Sequence, residues 1–92
     1  MIVGSLKTRL LVRGSQSLKD KRQVVRSILD RLRTQFNVAA AEVEARDHRQ
    51  LVVLGFAAVG EEARDVREVL DKIVSALRSH PVAEFLDHEL EA

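Results

Sequence analysis

Lys19, Lys21 and Arg22 follow the short polar break Gly14–Ser17, and Arg13 precedes it, so one stretch of chain combines four cations with a helix-start signal. Ser17 followed three residues later by Asp20 reads as a capping box. The first N–H groups of a helix lack internal partners and carry partial positive charge, so Gly14, Ser15 and Ser17 form a candidate anion-binding loop. Beyond the loop, at about 100° per residue, Lys19, Arg22, Arg26 and Arg33 fall within about 60° of arc, a basic ridge beside the apolar stripe. The chemistry this implies is non-covalent: a row of cations at helical spacing suits a sugar-phosphate backbone. Candidate nucleic-acid contacts are therefore Arg13, Lys19, Lys21, Arg22, Arg26 and Arg33, with Lys7 and Arg9 extending the surface. The plainer alternative is that Asp30 pairs with Arg26 and Arg33, Ser17 only caps, and the ridge is a solvated helix face.

Covalent chemistry has little to stand on. Without cysteine there is no disulfide framework, thiolate nucleophile or Cys-ligated metal. His48, His80 and His88 are too scattered for a triad or a zinc site, so no catalytic residue, metal or cofactor is expected. Small acyl-phosphate hydrolases share the element order derived below, and Arg13 and Asn37 are the residues to cast in such a role. The loop before the helix is one residue short of their pattern, however, and Asn37 looks like a helix end. Gly55, Phe56, Ala57, Ala58 and Val59 have the outline of an RNA-recognition strand. Leu54 stands where that motif needs a cation, and Val3 and Ala58 stand where it needs exposed aromatics. Phe56 is expected in the core instead.

The elements that must position the ridge follow from periodicity. Ile2 to Val12 alternates, with Ile2, Leu6, Leu10 and Val12 on one face and Ser5, Lys7 and Arg9 on the other, as in a half-buried strand. Val25, Ile28, Leu29, Leu32 and Phe36 give the first helix one apolar stripe, which Asn37 ends. Val38 to Ala45 and Leu51 to Val59 read as a hairpin across the charged residues Arg46 to Gln50, with Glu42 and Glu44 expected on one face. Gly60 opens a second helix with the stripe Ala63, Val66, Leu70, Ile73 and Leu77, stopped by Ser79, His80 and Pro81. Val82 to Leu90, acidic and preceded by Pro81, suits an edge strand. This order predicts an α+β, ferredoxin-like βαββαβ domain over residues 1–92, an antiparallel four-stranded sheet with both helices on one face.

Ninety-two residues at 46% hydrophobic and 32% charged fit one small core and leave little room for an enclosed active site. Neither a signal peptide nor a membrane span is visible, and a cytoplasmic location with no membrane partner is expected. The net charge of +1 conceals an asymmetry: residues 1–46 carry ten Lys/Arg against four Asp/Glu, and residues 47–92 carry five against ten. One half is a polyanion-binding candidate; the other argues against a uniformly basic binder.

The string SLKDKR from Ser17 to Arg22, with FNVAAAEV from Phe36 to Val43 and VLGFA from Val53 to Ala57, resembles the bacterial YlxP-like domains of unknown function along nearly the whole chain. The resemblance implies a ferredoxin-like fold and, in many bacteria, a gene among transcription and translation factors beside ribosome-binding factor A. No activity comes with it. The family's hairpin usually reads Asp, variable, Trp, Gln, Arg; here Asp47 and Gln50 remain, while Arg49 and Leu51 replace the Trp and Arg, and a common Tyr near the end is His88. The expectation is a non-enzymatic module contacting structured RNA or a ribosomal particle through the first helix. Its rival is a protein-interaction or homodimerisation module, for which the apolar outer face of Leu51 to Val59 is the natural surface.

Overall fold

The computed structural model describes all 92 residues. Its elements are β1 (Ile2–Leu11), α1 (Leu18–Gln35), β2 (Ala39–Glu44), β3 (Leu51–Gly60), α2 (Ala63–Arg78) and β4 (Glu84–Glu91). The strands form one antiparallel sheet in the order β2-β3-β1-β4, the ferredoxin-like arrangement, with β2 and β4 at its edges. No helix is long and apolar enough to cross a membrane.

The alternation of β1 fixes which face is covered. Leu6, Thr8 and Leu10 are buried under the helices, together with Val52, Leu54, Phe56 and Ala58 of β3. Val25, Ile28, Leu29 and Leu32 of α1 and Val66, Leu70, Ile73, Val74 and Leu77 of α2 complete a single core, so both helices lie on the same face. Where α2 crosses β1 the approach is close: a Cβ on Gly4 would stand 2.5 Å from Val66 Cγ1. Only glycine admits the helix there.

Local readings are corrected in β2, at Gly60 and at the start of the last strand. Glu42 and Glu44 do not share a face, because β2 bulges between them: Glu42 lies opposite Leu54 on the helix side, and Glu44 lies opposite Val53 on the open side. The strand stops there because Ala45 takes a left-handed φ of 56°. Gly60 ends β3, paired with Ile2, rather than opening α2, which starts at Ala63 after Glu62. The last strand starts at Glu84 rather than Val82, because the Val82 and Ala83 amides both donate to His80 Nδ1 (3.2 and 3.1 Å) in the turn.

Candidate nucleic-acid interface

At the start of α1, Ser17 is the N-cap, its Oγ accepting from the Asp20 amide (3.1 Å), and the Asp20 carboxylate accepts from the Gln16 amide (3.2 Å). Ser15 is buried and donates through Oγ to the Ser17 carbonyl (3.0 Å), while Gly14 lies exposed in the turn. Both serine hydroxyls expected in an anion-binding loop are thus spent on the loop's own backbone. The Asp20 carboxylate also occupies the positive end of the helix, where an anion would sit. The corner is a built cap, not an open phosphate cradle.

Lys21 departs furthest from expectation. Its side chain is fully buried, so it offers nothing to a polyanion. Nζ donates to the carbonyls of Ala45 (2.6 Å), His48 (2.7 Å) and Leu51 (2.9 Å), and Glu42 Oε2 lies 3.0 Å away. Three ammonium protons meet three inward-pointing carbonyls of the β2–β3 turn, and the carboxylate balances the charge. The sequence signal for this was its spacing: Lys21, Val25, Ile28 and Leu32 recur at four, seven and eleven residues, so Lys21 stands inside the apolar stripe. Gln50 ties the same turn to the corner, donating through Nε2 to the carbonyls of Arg13 (3.1 Å) and Ser15 (3.3 Å). Much of SLKDKR, and the retained Gln50, thus builds the junction between α1 and the hairpin.

Other cations are spent on ion pairs. Arg13 binds Glu84 (2.7 Å), leaving the ridge for the β4 edge. Lys7 pairs with Glu44, and Arg9 with Asp87 (2.9 Å) and Glu89 (3.9 Å), so these two hold the open sheet face together instead of extending a basic surface. The hydrogen bond and charge of Lys7 pull the Glu44 carboxyl below its ordinary pKa, and Asp87 pushes the Arg9 guanidinium upward. Arg33 donates to the Ala40 carbonyl and lies 3.7 Å from Asp30. Arg26, the other expected partner of Asp30, forms no ion pair.

Among the cations that form no ion pair, several stand together. Lys19, Arg22 and Arg26 are exposed along α1 without acidic partners, and with Gln23 they line a hollow on the helix surface. Arg22, Arg26 and Arg33 then border a groove between α1 and edge strand β2, floored by Val25 and Leu29 and edged by the β2 strand at Ala41. Arg46 stands across it at the start of the hairpin turn, a cation absent from the expected set. Only the fold shows its membership, because it lies thirteen residues beyond Arg33 and is carried by another element.

Asn37 and Arg13 are not brought together. Asn37 precedes the β2 end that pairs beside Ala57, Arg13 follows the opposite end of β1, and α1 spans about 27 Å between these ends. No group of three or more acidic or histidine side chains is arranged to hold a metal ion.

Fold and site together define a small ferredoxin-like α+β domain whose first helix and edge strand enclose a cationic groove. Residues 3–90 match the family described as "Protein of unknown function (DUF503)", and the chain belongs to that family. It is similar to "Uncharacterized protein YlxP" of Bacillus subtilis (strain 168), at 29% identity over 83 residues covering 90% of either chain. The YlxP-like resemblance read from SLKDKR, FNVAAAEV and VLGFA agrees with both.

Proposed function

We propose that the protein is a non-enzymatic RNA-binding module, a ribosome-associated accessory protein of the cytoplasm, that grips phosphate backbone through Lys19, Arg22, Arg26, Arg33 and Arg46. The observation that carries this reading is the division of labour among the cations. Those on β1 are neutralised by acidic partners, whereas Lys19, Arg22, Arg26 and Arg46 share one side of the molecule and form no ion pair. Unpaired cations that meet a polyanion displace the counterions condensed on it, which drives backbone binding. The gene neighbourhood implied by the family resemblance favours RNA as that polyanion.

The test is charge reversal at two exposed positions off the core. Lys19→Glu with Arg22→Glu should leave thermal melting near wild type, yet abolish retention of structured RNA at low salt and co-sedimentation with ribosomal particles. A folded double variant that binds as the wild type does removes the groove from consideration.

A second reading, self-association, rests on a separate surface. Val3, Val43 and Val59 are each about half exposed on the sheet face that no helix covers. Contiguous apolar surface of that kind often marks an interface.

A further inference from the structure

We infer that the groove between α1 and β2 takes the backbone of double-helical RNA and discriminates against single strands, an inference that rests on the RNA-binding reading above. Three observations carry it. The surface offers no Phe, Tyr or Trp ring as a stacking platform: the chain has no Tyr or Trp, Phe56 is buried, Phe36 and Phe85 are packed against the core, and the Phe85 ring is covered by the Arg78 guanidinium at 4.7 Å. Single-strand binders gain much of their affinity from bases laid on exposed aromatic rings, roughly five-fold or more per base. A surface without such rings favours a partner whose bases are already stacked on one another.

The cations are also carried at fixed backbone positions. Lys19, Arg22, Arg26 and Arg33 lie on one line of a continuous helix, spanning about 21 Å from first to last. Arg46 faces that line from across the groove, so the groove has positive charge on both banks. A duplex presents its phosphates in equally fixed rows on two strands, and two preorganised arrays meet without the ordering cost that a flexible single strand must meet.

The groove floor points the same way. Val25 and Leu29 make it apolar, and the Glu42 carboxylate lies within it. That carboxylate is already balanced by Lys21, so a phosphate chain threaded along the floor finds no free cation there. Phosphates are therefore held at the rims, where the ridge of a duplex backbone reaches and a single strand lying along the floor does not.

The experiment is fluorescence anisotropy on the full chain, with an RNA duplex of about two helical turns and, separately, each of its unpaired strands, across a salt series. The duplex should bind about ten-fold or more tightly than either strand, with a log–log salt slope near −4 to −5, as expected for about five phosphates at roughly 0.9 per contact. Arg26→Ala should reduce the slope by about one. Arg67→Glu, an exposed cation on α2 outside the groove, should leave duplex binding unchanged. Single strands that bind as well as the duplex overturn this inference while the RNA-binding reading stands. If neither probe binds at low salt, the RNA-binding reading falls as well.

Discussion

Lys21 shows how one residue type serves opposite roles under the same local pattern. Lys19, Lys21 and Arg22 are neighbours in one basic run, but a helix separates them by about 100° per step, and only Lys21 is turned into the core. There it donates to part-buried carbonyls at the hairpin, including that of Ala45, which takes a left-handed φ of 56°. Glu42 Oε2 is buried and accepts no hydrogen bond, so the nearby ammonium charge is what compensates it. Lys21→Met should therefore cost about 3–5 kcal/mol, because it leaves a buried carboxylate and three carbonyls unpaired. That corresponds to a fall in melting temperature of roughly 15–30 °C for a domain of this size. Lys21→Met with Glu42→Gln should recover part of the loss, since removing both charges is milder than stranding one. Equal melting temperatures for Lys21→Met and wild type would show that the cluster carries no stability.

At the scale of elements, the turn from α2 to β4 has a similar centre in His80. Burial and the charge of Arg31 lower its pKa below the ordinary histidine value, and Nδ1 accepts from two backbone amides, a role the doubly protonated ring cannot fill. The unfolded chain then binds a proton more readily than the folded one. The contribution is therefore complete above about pH 6.5 and is lost as pH falls toward and through the folded pKa. Thermal melts should show a decline from pH 7 to pH 5 that is shallower in His80→Asn, whose side-chain oxygen can accept near the same place. An identical decline in both proteins would clear His80 of the effect.

The elements themselves were largely legible in the sequence, because alternation in β1 and the two apolar helix stripes are direct consequences of which face is buried. What escaped was the set of features that depends on tertiary partners. The bulge that parts Glu42 from Glu44 follows from β3 pairing, and the burial of Lys21 follows from where the hairpin carbonyls arrive. The candidate site was legible as a ridge, through Lys19, Arg22, Arg26 and Arg33. Arg46 could not be added, and Arg13, Lys7 and Arg9 could not be subtracted, without knowing that β4 and β2 flank the central strands with carboxylates.

For the whole molecule, the charge asymmetry between the two halves of the chain becomes a division of surfaces. The sheet's open face neutralises its own charges through Lys7–Glu44 and Arg9–Asp87, leaving Val3, Val43 and Val59 exposed around them. Ala41, Gly55 and Ala57 add little bulk there, and a shallow hollow of about 450 Å³ lies over them. The groove's unpaired cations lie elsewhere, along α1 and at the start of the β2–β3 turn. Two copies meeting back to back through their open faces would therefore leave both grooves outward, and dimerisation and RNA binding would not compete. A stable pair must bury about 1,200–2,000 Å² in total, about 600–1,000 Å² of each chain's 5771 Å² of accessible surface, and it must cover ion pairs that favour water. The expected association is consequently weak: monomer at low micromolar concentration, with dimer appearing at high micromolar in light scattering. Val59→Asp with Val3→Asp should abolish the dimer while leaving duplex RNA binding intact, because neither valine lies in the groove. A wild-type chain that stays monomeric at high micromolar concentration would rule the pairing out. Loss of RNA binding in a folded valine variant would mean instead that the two faces do not act independently.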